Sequence, residues 1–315
     1  MARLFLVGSL GTQIAKSSGL LRVMWRLEAS LLWAFWRISL LLGPERGASF
    51  GERLLRWLGP KTRKAGHVRR NLEIVVVNDC QKVDAFAADV WGNLGRVLAE
   101  YPHLETLCET EFRDRIEVET EFDLDKLKAN MRPKIFAGAH LANWEINCAA
   151  SRHLGFEGSV IYSPQQNPFV EKLMVNARQT LQCELVAKRN AMRALARELQ
   201  QGRSVGVIVD QRVDDGGLYS FFDVPAATTD TPARLALRYG ADIVPVRCQR
   251  LDDGRYRVTF SAPLKPNTDI SDKRDQARDL TEQLYRLFEY WIKERPGQWH
   301  CLKRRWPKHA TSDRL

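Results

Sequence analysis

Residues 133–150 read PKIFAGAHLANWEINCAA. Ile135 and Phe136 form the β-branched and aromatic run that a buried strand needs. Gly138 breaks that run, and a helical pattern begins near Asn143. A strand that hands over to a helix in this way predicts an α/β protein. Its junction presents side chains at the carboxyl edge of a parallel sheet, where such folds place their ligands. His140 sits at that junction, and Glu145 follows five residues later. A neutral imidazole there can take a proton from a hydroxyl, while a carboxylate orients it and stabilises the imidazolium. The same two residues can also serve as a helix cap and a surface charge.

Downstream the alternation continues. The pattern predicts a strand at 159–162, a loop PQQNP at 164–168, a helix at 169–181 carrying Arg178, a strand at 184–187 and a helix at 191–201. SVGVIV at 204–209 reads as a buried strand that delivers Asp210 at its carboxyl end, a second candidate site residue whose structural alternative is to cap a turn. A twenty-residue loop is expected at 211–230, with Phe221 and Phe222 exposed on it. Thr231 and Pro232 start a helix that runs to Tyr239 before Gly240. Strands follow at 242–248 and 256–260, then a long helix at 270–294. Upstream, 83–98 has helical periodicity and Pro102 stops it, and 111–128 reads as a strand plus a short helix.

The first sixty residues differ in character. LLRVMWRLEASLLWAFWRISLLL at 20–42 is rich in Leu, Trp and Phe but is interrupted by Arg22, Arg26, Glu28 and Arg37. Its longest uncharged run falls well short of the ~18–20 apolar residues of a bilayer span. Tryptophans among arginines suit an interfacial helix or a short anchor, and an amphipathic helix packed on the domain is the other reading. A basic stretch follows, with Arg53, Arg56, Lys61, Arg63, Lys64, His67, Arg69 and Arg70, and Lys293, Arg295, Lys303, Arg304, Arg305 and Lys308 make a second near the other end. The net charge of +10 calls for an anionic partner. No RNP motif, zinc finger or helix-turn-helix supports nucleic acid, so anionic lipid is the expected surface. The six scattered cysteines form no CxxC pair, which speaks against a zinc site or disulfide framework and suits a reducing compartment. There is no GxGxxG, GxxxxGK[ST] or GxSxG motif, so dinucleotide, NTP and ordinary α/β-hydrolase chemistry find no support.

HLANWE fits the H-x-x-x-x-[DE] box of glycerolipid-type acyltransferases, and its surroundings resemble the lipid A biosynthesis late acyltransferases, the lauroyl and myristoyl transferases of Gram-negative bacteria. The resemblance runs in order through WGNLGRVLAEYPHL (91–104), GAHLANWE (138–145), IYSPQQNPFVEKLMVNAR (161–178), VGVIVDQR (205–212), FFDVPAATTDTPARLALRYGADIVPV (221–246) and PGQWHCLKRRW (296–306). The box alone is weakly specific; the ordered series, over roughly 68–307, is much stronger. It implies one α/β domain at 61–315 with a central mixed, mainly parallel sheet flanked by helices, preceded by a membrane-anchoring or interfacial segment at 1–60. It implies transfer of a fatty acyl chain from acyl carrier protein to a hydroxyl of a Kdo-bearing lipid A precursor, at the cytoplasmic face of the bacterial inner membrane, with no cofactor and no metal. His140 and Glu145 match the catalytic box, Glu145 orienting the His140 base, and Arg178 and Asp210 are the best matches for a further catalytic Arg and Asp. Arg178 would bind phosphate or, with other nearby donors, steady an oxyanion, Asp210 would position a basic residue or the acceptor, and the Phe221–Phe222 loop would lie near acyl chains. The alternatives are another glycolipid or an amino-lipid acceptor, or a peripheral membrane-binding protein without turnover.

Overall fold

The computed structural model describes residues 18–76 and 79–307; residues 1–17 of the N-terminal segment, and Lys308 of the basic tail, lie outside the described residues. Four helices come first: α1 (Ser18–Leu42), α2 (Pro44–Leu58), α3 (Ala65–Val75) and α4 (Cys80–Glu100). The strands are β1 (Ile116–Thr120), β2 (Lys134–Gly138), β3 (Gly158–Tyr162), β4 (Glu184–Ala187), β5 (Ser204–Ile208), β6 (Gly217–Phe221), β7 (Val224–Thr228), β8 (Asp242–Arg250) and β9 (Tyr256–Phe260). Among and after them lie α5 (Phe112–Arg115), α6 (Leu124–Ala129), α7 (Ile146–His153), α8 (Pro168–Arg178), α9 (Ala191–Gln200), α10 (Thr231–Tyr239) and α11 (Lys273–Glu294).

Seven strands make one sheet in the order β1-β9-β8-β2-β5-β3-β4. Every neighbouring pair is parallel except β8 and β9, so the sheet is mixed and mainly parallel, as expected. All five residues of β2 are buried, because helices cover both faces of a parallel sheet. Alternation sorts them: Ile135 and Ala137 join the cluster that holds Leu235, Leu284 and Trp299, whereas Phe136 joins Ile146, Ala149 and Phe260 on the other face. From β2 the chain passes to α7, on the face of that second cluster; from β5 it passes to the β6–β7 hairpin and α10, on the first. The segments leaving these two adjacent strands therefore diverge to opposite faces, and open α/β sheets place their ligands at the carboxyl ends of such a pair.

The expected loop at 211–230 is a correction. Its centre folds into the β6–β7 hairpin. Phe222 and Asp223 form the two-residue turn with φ 55° and 56°, the left-handed pair of a type I′ turn. That turn normally announces itself with Asn-Gly or Asp-Gly, and the absence of either hid it. Phe221 and Phe222 are not exposed but 0% and 3% accessible. Phe221 stacks on Trp306, whose indole Nε1 donates to the Phe221 carbonyl at 3.0 Å. The pair fills the core and has no lipid-facing surface.

At the N-terminal end, α2 and α4 touch backbone to backbone, because Gly51 and Gly95 meet where any Cβ would collide with the opposite main chain. On α1, Trp36 stacks on Tyr101 and donates from Nε1 to the Leu98 carbonyl at 2.8 Å. Asn167, which caps α8 by accepting from the Phe169 and Val170 amides, also donates to the Trp25 carbonyl and to Glu28. The buried positions of α1 are Glu28, Ala29, Trp36 and Ser39, while Val23, Leu27, Leu31, Ile38 and Leu41 are exposed, Leu41 at 83%. The outward face of α1 therefore carries large apolar side chains among arginines, which the polar outer face of a water-facing helix does not. Among the described residues no helix is long and apolar enough to cross a membrane.

Candidate active site

The register of the two central strands makes the site. Ile135 pairs with Val205 and Gly138 with Ile208, a constant offset of 70 residues. Carried two residues past each strand, the same offset sets His140 against Asp210. His140 Nδ1 lies 2.5 Å from Asp210 Oδ1, and Trp299 Nε1 donates to Asp210 Oδ2 at 2.8 Å. Asp210 is 1% accessible. Burial pushes its carboxyl up, but the His140 charge and the hydrogen bonds from His140 and Trp299 outweigh burial and hold it below the ordinary carboxylate range. An ionised Asp210 only accepts, so the imidazole proton belongs on Nδ1 and Nε2 is left with a lone pair.

The turn that follows His140 is held from two remote segments, α4 and residues 298–300. Ala142 is buried with φ 46°, a left-handed conformation that costs free energy in a residue with a Cβ. Its N–H donates to the Gln298 carbonyl at 2.9 Å, and Asn93 Nδ2 donates to its carbonyl at 3.1 Å. The His300 amide donates to the His140 carbonyl at 2.8 Å. Helix α7 accordingly starts at Ile146 instead of near Asn143.

Glu145 does not orient His140, a second correction. It is 8% accessible and engages Arg178, which donates from Nε to Oε2 at 2.9 Å and from Nη2 to Oε1 at 2.7 Å; Tyr101 OH donates to Oε1 at 2.6 Å. Burial raises its carboxyl, but the Arg178 hydrogen bonds and charge and the Tyr101 hydroxyl outweigh that and hold it low. Five residues of turn and helix start carry the Glu145 side chain down to Arg178 at the end of α8, and the sheet register gives the imidazole to Asp210 first. The four sequence candidates therefore form two pairs, His140–Asp210 and Glu145–Arg178.

A further buried cluster supports the box. Gly138 pairs with Val246, so β8 extends four residues beyond β2 to Arg250. Arg250 forks onto Glu100, with Nη1 2.5 Å from Oε1 and Nη2 3.0 Å from Oε2. Tyr256 OH at 2.5 Å and Asn143 Nδ2 at 3.0 Å also donate to Glu100. Bidentate pairing of this kind is strong and directional, and it fixes Asn143 inside the box. A cleft of about 600 Å³ opens behind this cluster, with Glu100, Arg250, Asn93 and Gln298 in its walls but neither His140 nor Asp210.

Around the imidazole, Trp144 lies edge-on to both His140 and His300, with 5.0 Å between centroids in each case. Burial, and then the His140 charge, push His300 down to about 3, so it stays neutral. Gln211 Nε2 lies 3.3 Å from His140 Nε2, and Lys303 Nζ donates to Gln211 Oε1 at 2.9 Å. Trp299, Gln298, Asn93, Tyr101, Glu100, Arg250 and Gln211 went unread as site residues from sequence. All but Arg250 fall within the family-like segments 91–104, 205–212 and 296–306, which were the available signal. Among the described residues no group of three or more His, Cys, Asp or Glu side chains could hold a metal ion.

The family model described as bacterial lipid A biosynthesis acyltransferase matches residues 14–308. No curated protein sequence matches the chain. Among solved structures the chain is similar to the 1-acyl-sn-glycerophosphate (LPA) acyltransferase of Thermotoga maritima, at 17% identity over 80% of this chain and 96% of that one, with a TM-score of 0.36.

Proposed function

Because the chain belongs to the bacterial lipid A biosynthesis acyltransferase family and is an acyltransferase, we propose that it moves a fatty acyl chain from acyl carrier protein to a hydroxyl of a Kdo-bearing lipid A precursor, with His140 as general base and Asp210 as its orienting carboxylate. The observation that carries this reading is the His140–Asp210 contact at the ends of two adjacent parallel strands, which leaves Nε2 with its lone pair. The acceptor hydroxyl donates to Nε2 and its oxygen attacks the thioester carbonyl carbon. The proton passes to Nε2, and the carbonyl π pair moves onto oxygen to give a tetrahedral oxyanion. Collapse re-forms the carbonyl and breaks the C–S bond, and the departing thiolate takes the proton from Nε2 to leave as a thiol. Base assistance of this kind contributes about 10²–10⁴-fold. Glu145 and Arg178 act as positioning residues: with Tyr101 they lock the start of α7 to α8 and to the end of α4, and so hold the turn that carries His140.

We place the enzyme at the cytoplasmic face of the inner membrane, where its lipid acceptor would be met. The apolar outward face of α1 supports this: its exposed leucines are interspersed with Arg22, Arg26 and Arg37, which suits a helix lying in an anionic headgroup layer. Trp57, 63% exposed, stacks against Lys61 at 3.6 Å and extends the same chemistry to the end of α2.

Incubating the purified protein with a panel of acyl-carrier proteins and a lipid A precursor, with the products weighed by mass spectrometry, tests the assignment. The expected product is the precursor heavier by one acyl chain, with one free carrier thiol released per product. An unchanged precursor beside an acylated alternative glycolipid would overturn the acceptor, and acylation from coenzyme A but not from carrier protein would overturn the donor.

A further inference from the structure

We propose that Gln211, held by Lys303, is the hydrogen-bond donor that meets the oxyanion, a role that rests on the reading of His140 as the base. The polarity of the network around His140 settles which atoms face which. The Lys303 ammonium has donors only, so the Gln211 side-chain oxygen, 2.9 Å away, must be the group that faces it. The Gln211 NH₂ therefore faces His140 Nε2 at 3.3 Å. An NH₂ only donates, so Nε2 accepts and Nδ1 carries the ring proton toward Asp210. Donation runs in one direction, Lys303 to Gln211 to His140 to Asp210, and neither end can reverse it. The ammonium cannot accept and the carboxylate cannot donate.

Two consequences follow for the reaction. The Gln211 amide holds the site on Nε2 that the acceptor hydroxyl must enter, so arrival of the acceptor frees an N–H at the position where chemistry begins. That N–H then lies beside the attacking oxygen and next to the carbonyl carbon it bonds. As attack proceeds, the π pair of the thioester carbonyl collects on its oxygen, and the freed N–H, polarised through the amide by the Lys303 charge, donates to it. When the C–S bond breaks, the charge leaves with the sulfur and is quenched by the proton from His140 Nε2. Of the other strong donors nearby, Arg178 gives Nε and Nη2 to Glu145 and keeps only Nη1 unpartnered, and the Trp299 indole gives its N–H to Asp210. Gln211 is the side-chain donor in contact with the reactive nitrogen. Because it follows Asp210 directly, the strand end that orients the base also aims the oxyanion donor.

Steady-state acyl transfer from acyl-carrier protein by Gln211→Leu, Gln211→Glu, Lys303→Met, Lys303→Arg and His140→Ala, each with its melting temperature, tests the assignment. Loss of one oxyanion donor costs about 10²–10³-fold in kcat, and that loss is expected for Gln211→Leu with KM within about threefold and melting unchanged. Gln211→Glu keeps the shape and the Lys303 contact but sets a negative charge against the oxyanion, so its kcat falls at least as far. Lys303→Met lowers kcat less than Gln211→Leu, Lys303→Arg restores most of it, and Gln211→Leu with Lys303→Met is no worse than Gln211→Leu alone, because the two act as a unit. A kcat within threefold of wild type in folded Gln211→Leu or Gln211→Glu overturns the proposal, as does a rise in KM at unchanged kcat. If that result comes with an inactive His140→Ala, the base reading stands and only the Gln211 role falls. If His140→Ala itself turns over normally, the underlying reading fails.

Discussion

Replacing Asp210 with asparagine keeps the volume of a side chain that is 1% accessible and changes only its hydrogen-bonding polarity. Trp299 Nε1, 2.8 Å from Oδ2, can only donate, so it selects the amide oxygen of the new residue. The amide NH₂ is then turned onto His140 Nδ1, which must accept and so pass its proton to Nε2. There it meets the Gln211 NH₂ at 3.3 Å, a second donor that Lys303 prevents from flipping. The imidazole can no longer take the hydroxyl proton. A wrong-tautomer defect of this type costs up to about 10⁴-fold in kcat, or about 5.5 kcal/mol at 1.36 kcal/mol per decade. The donor–donor mismatch costs about 1–3 kcal/mol of stability, which leaves a folded enzyme to assay. Carrier-thiol release measured beside thermal melting reads both effects, and ¹⁵N NMR of the imidazole reports which nitrogen is protonated. A folded Asp210→Asn enzyme within tenfold of wild-type kcat would refute the tautomer reasoning.

Glu145→Gln leaves the buried Arg178 guanidinium without its counter-charge, which costs about 3–5 kcal/mol and lowers the melting temperature by roughly 5–10 °C. Its kcat per folded molecule falls by less than that of Asp210→Asn, and an unchanged melt with a 10³-fold loss of kcat would return Glu145 to the chemistry. For His300, which burial and the His140 charge hold at about 3, the unfolded chain binds a proton that the folded one does not between about 3 and 6.5. Its contribution is therefore complete above 6.5 and is lost as pH falls, at up to about 1.4 kcal/mol per pH unit. Urea unfolding at pH 7.5, 6.5, 5.5 and 4.5 should show His300→Gln converging on, or overtaking, wild type as pH drops, whereas parallel curves would contradict the neutral ring. Introducing Leu31→Asp and Leu41→Asp together on the exposed face of α1 should weaken sedimentation with anionic phospholipid vesicles by tenfold or more without changing the melt. Unchanged vesicle binding would remove α1 as the docking helix.

Much of this was legible from sequence because β2 and β5 are short, apolar and bounded by a glycine or a charged residue, so their ends could be numbered and His140 and Asp210 placed at them. What the sequence did not carry was strand order. Nothing local says that β5 inserts beside β2 while β3 and β4 lie beyond it, and without that neighbourhood Glu145, the nearer carboxylate in sequence, looked like the partner. The hairpin at 217–228 was missed because its turn uses Phe222–Asp223 in left-handed conformations in place of a glycine pair. Its aromatic tip read as exposed because Trp306 and Tyr285, which bury Phe221, are more than sixty positions away. The supporting cluster of Glu100, Arg250, Tyr256 and Asn143 likewise joins residues up to 156 positions apart. Those residues read singly as ordinary helix and strand positions, since pairing of buried charges is a property of tertiary neighbours.

The central claim is that His140, two residues past the end of β2, takes the acceptor proton during direct acyl transfer. Single-turnover transfer from acyl-carrier protein to the lipid acceptor, compared between wild type and a folded His140→Ala variant at saturating substrates, tests it most directly. The expected result is a rate about 10²–10⁴-fold lower in the variant with substrate binding retained; transfer within threefold of wild type would contradict it.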